Sequence, residues 1–255
     1  MRQSDLKSFL DEKVDQFNRP DFIENDPIQI PHQFSRREDI EIAGFFTAVL
    51  AWGQRATIIN KSKQLMTLMD DAPFEFMVNH NDVDLNRFDF FTHRTFNNTD
   101  CLYFIHVLSK LYRSGRSLED LFLPDENAAH IESGLVRFHQ LFFSEEDFPK
   151  RTKKHIATPA RNSACKRLNM FLRWMVRTDS KGVDFGIWER ISPAQLICPC
   201  DLHVERVARK LRLIIRKQLD WNAALELTAN LRLFDQDDPV KYDFALFGLG
   251  VEEKY

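Results

Sequence analysis

Apolar residues recur along this chain at helical spacing and almost nowhere at the two-residue spacing of a strand. Leu6, Phe9, Leu10, Val14 and Phe17 share one face and predict a helix over residues 4–17, ended by Asn18 and Pro20. Ser35-Arg36-Arg37-Glu38 has the form of a capping box. It predicts a helix reaching about Trp52, in which Ile42, Phe45, Phe46, Val49 and Leu50 leave little polar face, so this helix should be buried. Gly53 breaks the pattern, and a second helix follows through Ile58, Ile59, Leu65 and Met69.

Phe74, Phe76 and Met77 mark a short helix. Leu102, Ile105, Leu108 and Leu111 mark another, with Thr99 or Asp100 to cap it, and residues 116–123 and 127–143 carry two more. Further on, Ala164, Leu168, Phe171, Leu172 and Met175 form one stripe, with Asn162 or Ser163 as cap and with Lys166, Arg173 and Arg177 projecting elsewhere. Val204, Val207, Ala208 and Leu211 define a helix with Asp201 at its N-cap position. Near the end, Asp238 caps, Pro239 takes the first helical position, and Gly248 and Gly250 are expected to end the last helix. The predicted fold class is all-α, with no internal repeat and no low-complexity linker.

Composition narrows this picture. A 44% hydrophobic content with 23 phenylalanines among 255 residues supports a sizeable core, and only 8 glycines argue against glycine-rich phosphate loops. No run of about 18 apolar residues is present, so no membrane span is expected. The charged N-terminus MRQSDLKSFLDEKV does not resemble a signal peptide, and the expected location is cytoplasmic. The spacing of Cys101, Cys165, Cys198 and Cys200 does not suggest a disulfide framework. A zinc set of Cys165, Cys198, Cys200 and His203 rests on a weak C-x-C spacing, so neither a metal nor a cofactor is expected.

The net charge of −3 hides an uneven distribution. From Lys150 to Arg177 there are nine Lys or Arg residues and no Asp or Glu. Such a segment is either a solvated basic face or a phosphate-facing stripe. Within it, Lys166 falls in the first turn of a helix, where the dipole is positive and disfavours the ammonium form. That suits an amine that must act as a nucleophile, and it equally describes a lysine that contacts phosphate. Asp201 reads as a plain N-cap or as a carboxylate that stabilises positive charge on a sugar. Gln54, at the end of a buried helix, either satisfies backbone groups there or enters a nucleic-acid groove.

Two stretches carry a family resemblance. GFFTAVLAWGQRATIINKSKQLM resembles the apolar helix, short corner and second helix of helix-hairpin-helix DNA glycosylases, with Gln54, Ala56 and Thr57 matching the corner. CPCDLHVERVARKLRL resembles that superfamily's Val-Pro-x-Asp-Thr-His-Val-x-Arg-Val segment through Pro199, Asp201, His203, Val204, Arg206 and Val207. Lys166 falls where bifunctional members keep their lysine, and the Lys166-to-Asp201 interval is closer to archaeal 8-oxoguanine glycosylases than to endonuclease III. As a whole the chain resembles an uncharacterised bacterial family related to both.

The resemblance implies a two-lobed helical domain over residues 1–255, with sub-lobes of roughly 36–150 and of 1–35 plus 151–255 and a cleft between them. It implies a glycosylase/AP lyase that removes an oxidised purine such as 8-oxoguanine from damaged duplex DNA, with Lys166 and Asp201 as catalytic residues. Gln54, Arg55, Arg161, Asn162, Ser163, Arg167 and His203 would contact the nucleic acid. No obligate protein partner is implied. The alternative is a non-catalytic DNA- or RNA-binding protein on the same scaffold.

Two departures from the family pattern stand out. The hairpin stretch ATPARNSACKR lacks the Gly-x-Gly turn, which Asn162 in a left-handed conformation would partly replace, with Arg161 and Arg167 supplying charge. The four-cysteine iron–sulfur loop of endonuclease III is absent. Tyr242, Phe244 and Phe247 read as core residues, or one of them as a platform for a flipped base. Trp174, Trp188 and Trp221 read as core.

Overall fold

The computed structural model describes residues 2–255. Its helices are α1 (Gln3–Phe17), α2 (Asp21–Asn25), α3 (Arg37–Leu50), α4 (Arg55–Leu68), α5 (Pro73–Asn79), α6 (Asp82–Leu85), α7 (Asn98–Arg113), α8 (Leu118–Phe122), α9 (Glu132–Phe142), α10 (Lys166–Val176), α11 (Leu202–Lys210), α12 (Trp221–Arg232) and α13 (Tyr242–Val251). Among the described residues the sole β feature is an isolated bridge between His93 and Phe96, so the chain is all-α. It divides into two compact units. One holds the residues up to Asn25, Pro124–Val136 and Thr158–Tyr255, and the other holds Asp26–Leu123 and Arg137–Ala157.

In the unit built on residues 26–123 and 137–157, α3 is buried along nearly its whole length, as its unbroken apolar pattern predicts. Phenylalanines fill the space around it. Phe104 and Phe142 pack edge to face at 4.7 Å, and Phe122 stacks on Phe138 at 4.0 Å. The Ser35 capping box does not form. Arg36 is the N-cap without a side-chain bond, and it pairs with Glu38 and Glu75 instead. Likewise neither Thr99 nor Asp100 caps α7. Asn97 does, and Asp100 answers as the third residue of a capping box.

Asp100 has further partners. Its buried carboxylate accepts from Arg151 at 2.6 Å and Thr152 Oγ1 at 2.7 Å, and His155 Nε2 lies 3.2 Å away. Burial pushes its carboxyl up, but the hydrogen bonds from His155, Asn97 N–H and Thr152 outweigh it and hold it at about 2.

In the other unit, α13 packs against both α1 and α11. Gly248 and Gly250 lie inside α13 and do not end it. They are small because neighbours press on them. A Cβ on Gly248 would lie 2.2 Å from the Phe17 ring, and one on Gly250 would lie 3.0 Å from the His203 carbonyl oxygen. Trp174, Trp188 and Trp221 are buried, as are Tyr242 and Phe244, which removes those two as platforms for a base. Phe247 is half-buried and meets Phe22 edge-on at 6.1 Å.

Arg173 and Arg177 do not project from α10 into solvent. Both are buried among carboxylates. Arg173 bonds Asp243 and, at 3.2 Å, Asp184. Arg177 reaches Asp184 at 3.1 Å, Asp179 at 2.7 Å and Asp238 at 2.8 Å. The acids missing from residues 150–177 arrive from later in the chain, so these two arginines are structural ion pairs and not part of a phosphate-facing stripe.

Candidate functional site

The turn before α10 is built without glycine. Thr158 Oγ1 accepts from the Ala160 N–H, and the chain turns through Pro159–Arg161 into Asn162, which is left-handed at φ 57° and ψ 28°. Asparagine tolerates that region better than most residues. Neither Asn162 nor Ser163 caps α10. Cys165 is the N-cap, itself left-handed at φ 50°, and makes no side-chain capping bond. Asn162 has another task. Its Nδ2 donates to Asp220 Oδ2 at 3.0 Å, and its carbonyl accepts from the Trp221 N–H at 3.2 Å. The turn is thus tied to the start of α12, which Asp220 caps through the Ala223 N–H.

This anchoring makes Lys166 the first residue of α10, half-buried. Its Nζ lies 3.5 Å from Met170 Sδ, one turn on, and 3.8 Å from Asp201 Oδ2. Asp201 caps α11 with its other oxygen: Oδ1 accepts from the His203 N–H at 2.9 Å and the Val204 N–H at 3.0 Å. The cap fixes the carboxylate and leaves Oδ2 turned to the amine. The Lys166 and Asp201 side chains keep 28% and 23% of their exposure, so a ligand can reach them. Leu202 and His203 beside them are exposed.

Asp243 of α13 is buried and bonds Arg173 of α10. Burial pushes its carboxyl up to about 6, the charge of Asp201 adds to that rise, and Arg173 and Lys166 oppose it. Asp243 escaped the reading of the sequence although it left a signal, as the lone acid within the apolar run YDFALFGLG. Asp220 left the sign of an N-cap, an aspartate just before the run WNAALEL, and Met170 left none. Burial also raises the thiols of Cys165 and Cys200 to about 12 and that of Cys198 well above the ordinary range. Among the described residues no group of three or more His, Cys, Asp or Glu side chains is arranged to hold a metal ion.

Of the other candidates, Arg161 and Asn162 are exposed and Ser163 is half-buried, its hydroxyl accepting from the Cys165 N–H at 3.3 Å. Arg167 is half-buried, and burial pulls its guanidinium down to about 10. Gln54 and Arg55 belong to the other unit. There Gln54 is the N-cap of α4, exposed and without a side-chain capping bond, so it does not serve the helix end. Gly53 before it has φ +100° and lies against the Arg94 side chain.

The chain belongs to the family described as Protein of unknown function (DUF2400), whose model matches residues 26–252. No curated protein and no solved structure matches it.

Proposed function

We propose that this chain is a DNA glycosylase/AP lyase acting on a flipped, damaged nucleotide, with an oxidised purine as substrate class. The observation that carries the reading is the approach of Lys166 Nζ to Asp201 Oδ2 at 3.8 Å, with both groups at helix starts and accessible. An amine beside a fixed, half-exposed carboxylate suits chemistry that passes through a cationic sugar.

The neutral Lys166 amine attacks C1′ of the extruded nucleotide. The electrons of the C1′–N bond leave with the base, which takes up a proton. Asp201 Oδ2 offsets the positive charge that grows on the sugar. Loss of a proton from the nitrogen and opening of the ring give the Schiff base. Removal of a 2′ proton then expels the 3′ phosphate by β-elimination. In this reading the fold is of the helix-hairpin-helix glycosylase type, and Gln54, Arg55, Arg161, Asn162, Ser163, Arg167 and His203 contact the DNA.

Borohydride trapping on duplexes bearing 8-oxoguanine, uracil or an abasic site tests the proposal. Wild type should give a covalent adduct and Lys166→Ala none. Salt-sensitive binding without an adduct would overturn the enzyme and leave a nucleic-acid-binding module. Absence of both would overturn both.

A further inference from the structure

Cations gather a second time after Asp201. From Arg206 to Leu219 there are six Lys or Arg residues and no Asp or Glu. Most of them are engaged within the fold. Arg206 donates to the Gly250 and Tyr255 carbonyls, Arg209 pairs with Glu205 at 2.7 Å, and Arg216 pairs with Asp220 at 2.6 Å. Lys210 lies over the Tyr255 ring, 5.0 Å from its centroid. Arg212 and Lys217 remain, both exposed and with no carboxylate partner among the described residues.

The loop that presents them is fixed from several sides. Glu226 of α12 accepts from the Ile215 N–H at 2.9 Å and the Arg216 N–H at 3.1 Å. Asn230, one turn further along α12, donates to the Leu213 carbonyl at 2.9 Å, and Arg209 donates to the Lys217 carbonyl at 3.0 Å. Ile215 stands 79% exposed between Arg212 and Lys217. A lone exposed isoleucine is ordinary in itself. Here the backbone that carries it is held in place, with free cations on both sides.

The loop is joined to the turn before α10. Asp220 Oδ2 accepts from Asn162 Nδ2 at 3.0 Å and from Arg216 Nη2 at 2.6 Å. Two donors on one oxygen are close neighbours, so the Arg161–Asn162 turn and the 212–217 loop form one face. Arg161 is exposed and adds a third cation without a carboxylate partner among the described residues. The acids of this face, Asp220 and Glu226, are both engaged by donors of the loop itself.

We propose that the 212–217 loop and the Arg161–Asn162 turn are one docking surface for the backbone of duplex DNA, in which Arg161, Arg212 and Lys217 contact phosphates and Ile215 packs on the sugars between them. The inference rests on the proposed nucleic-acid substrate and adds Arg212, Ile215 and Lys217 to its contacts.

Cations fixed on two separate segments suit a polyanion whose charges are also spaced along a rigid backbone. No free carboxylate stands between them to repel it. An anionic membrane surface fits less well, because interfacial binding needs an apolar stripe and Ile215 is the one large apolar side chain that this loop exposes.

Binding of the intact chain to a labelled undamaged duplex, measured across a salt series, tests this without catalysis. Arg212→Asn keeps a residue that tolerates the left-handed φ of 59° at that position, and Lys217→Ala removes an exposed side chain. Each should lower the slope of log affinity against log salt by about one, and the double variant by about two. Ile215→Ser should weaken binding by about tenfold and leave the slope unchanged. Lys7→Ala, which removes a charge of α1 paired with Asp11, should leave both unchanged.

A slope that ignores Arg212→Asn and Lys217→Ala, or an affinity that ignores Ile215→Ser, overturns the proposal. So does an equal loss of slope in Lys7→Ala, which would mean that net charge alone matters. Binding to phosphatidylserine vesicles through these residues with no binding to the duplex also overturns it. If Arg212→Asn does not fold, Lys217→Ala decides alone. A missing borohydride adduct beside the expected slopes overturns the enzyme and leaves this surface. An adduct beside unchanged slopes does the reverse.

Discussion

Asn162 and Asp220 are joined by a 3.0 Å hydrogen bond across 58 residues of chain, and the same asparagine holds a left-handed backbone and receives the Trp221 N–H. One residue thus forms the turn and fastens it to α12, which sets where α10 and Lys166 begin. Asn162→Ala should destabilise the chain by about 1–2 kcal/mol from the backbone alone, because a Cβ without a local hydrogen bond disfavours this region. Asn162→Gly keeps the backbone and loses only the side-chain bond, so it should cost less. Denaturant unfolding of the two variants compares them, and equal losses would refute the left-handed geometry.

Asp201 caps α11, and substitution separates that role from the one proposed for it in catalysis. Asn is as good an N-cap as Asp, so Asp201→Asn should leave the thermal midpoint nearly unchanged. Asp201→Ala should cost about 1 kcal/mol. Both should lower Schiff-base formation on an abasic duplex by on the order of a hundredfold or more. Activity that follows the melting temperature across the two variants would mean that the carboxylate only caps.

The packing of α13 predicts a graded response to small-to-large changes. Gly250→Ala brings a methyl within 3.0 Å of the His203 carbonyl oxygen and should destabilise by about 1–3 kcal/mol. Gly248→Ala meets the Phe17 ring at 2.2 Å and should cost more. Thermal unfolding ranks them. Gly250→Ala should also reduce trapping, since it presses on the first turn of the Asp201 helix.

Asp100 predicts an acid limb in stability. Its folded carboxyl, at about 2, lies below the ordinary 3.8, so the native state binds fewer protons than the unfolded chain in that interval. Stability therefore rises with pH there. The contribution, about 2 kcal/mol, is present above pH 4 and is lost as pH falls toward 2. Urea unfolding from pH 6 downward should show the loss, and Asp100→Asn should flatten that part of the curve.

Helix placement was legible in the chain because a buried helix needs an apolar residue every three or four positions, and α1, α3, α7 and α10 each show that spacing. Asp201 as the cap of α11 was equally local, because an aspartate there needs only the next three residues. Caps with close rivals were harder. Asn97 took the place expected of Thr99 or Asp100, and Glu38, expected to answer Ser35 in a capping box, pairs with Arg36.

Other features were beyond local pattern. Arg173 and Arg177 look like surface charges in a segment without acids, and only the fold brings Asp179, Asp184, Asp238 and Asp243 around them. Gly248 and Gly250 look like a helix end until α1 and α11 close on them. The sequence by itself determined where α1, α3, α7 and α10 lie and that Lys166 and Asp201 stand at two helix starts, because those depend on spacing and local hydrogen bonds, whereas α12 went unread. Tertiary structure alone decided that residues 35 apart meet at 3.8 Å, because that distance depends on how α10 and α11 pack.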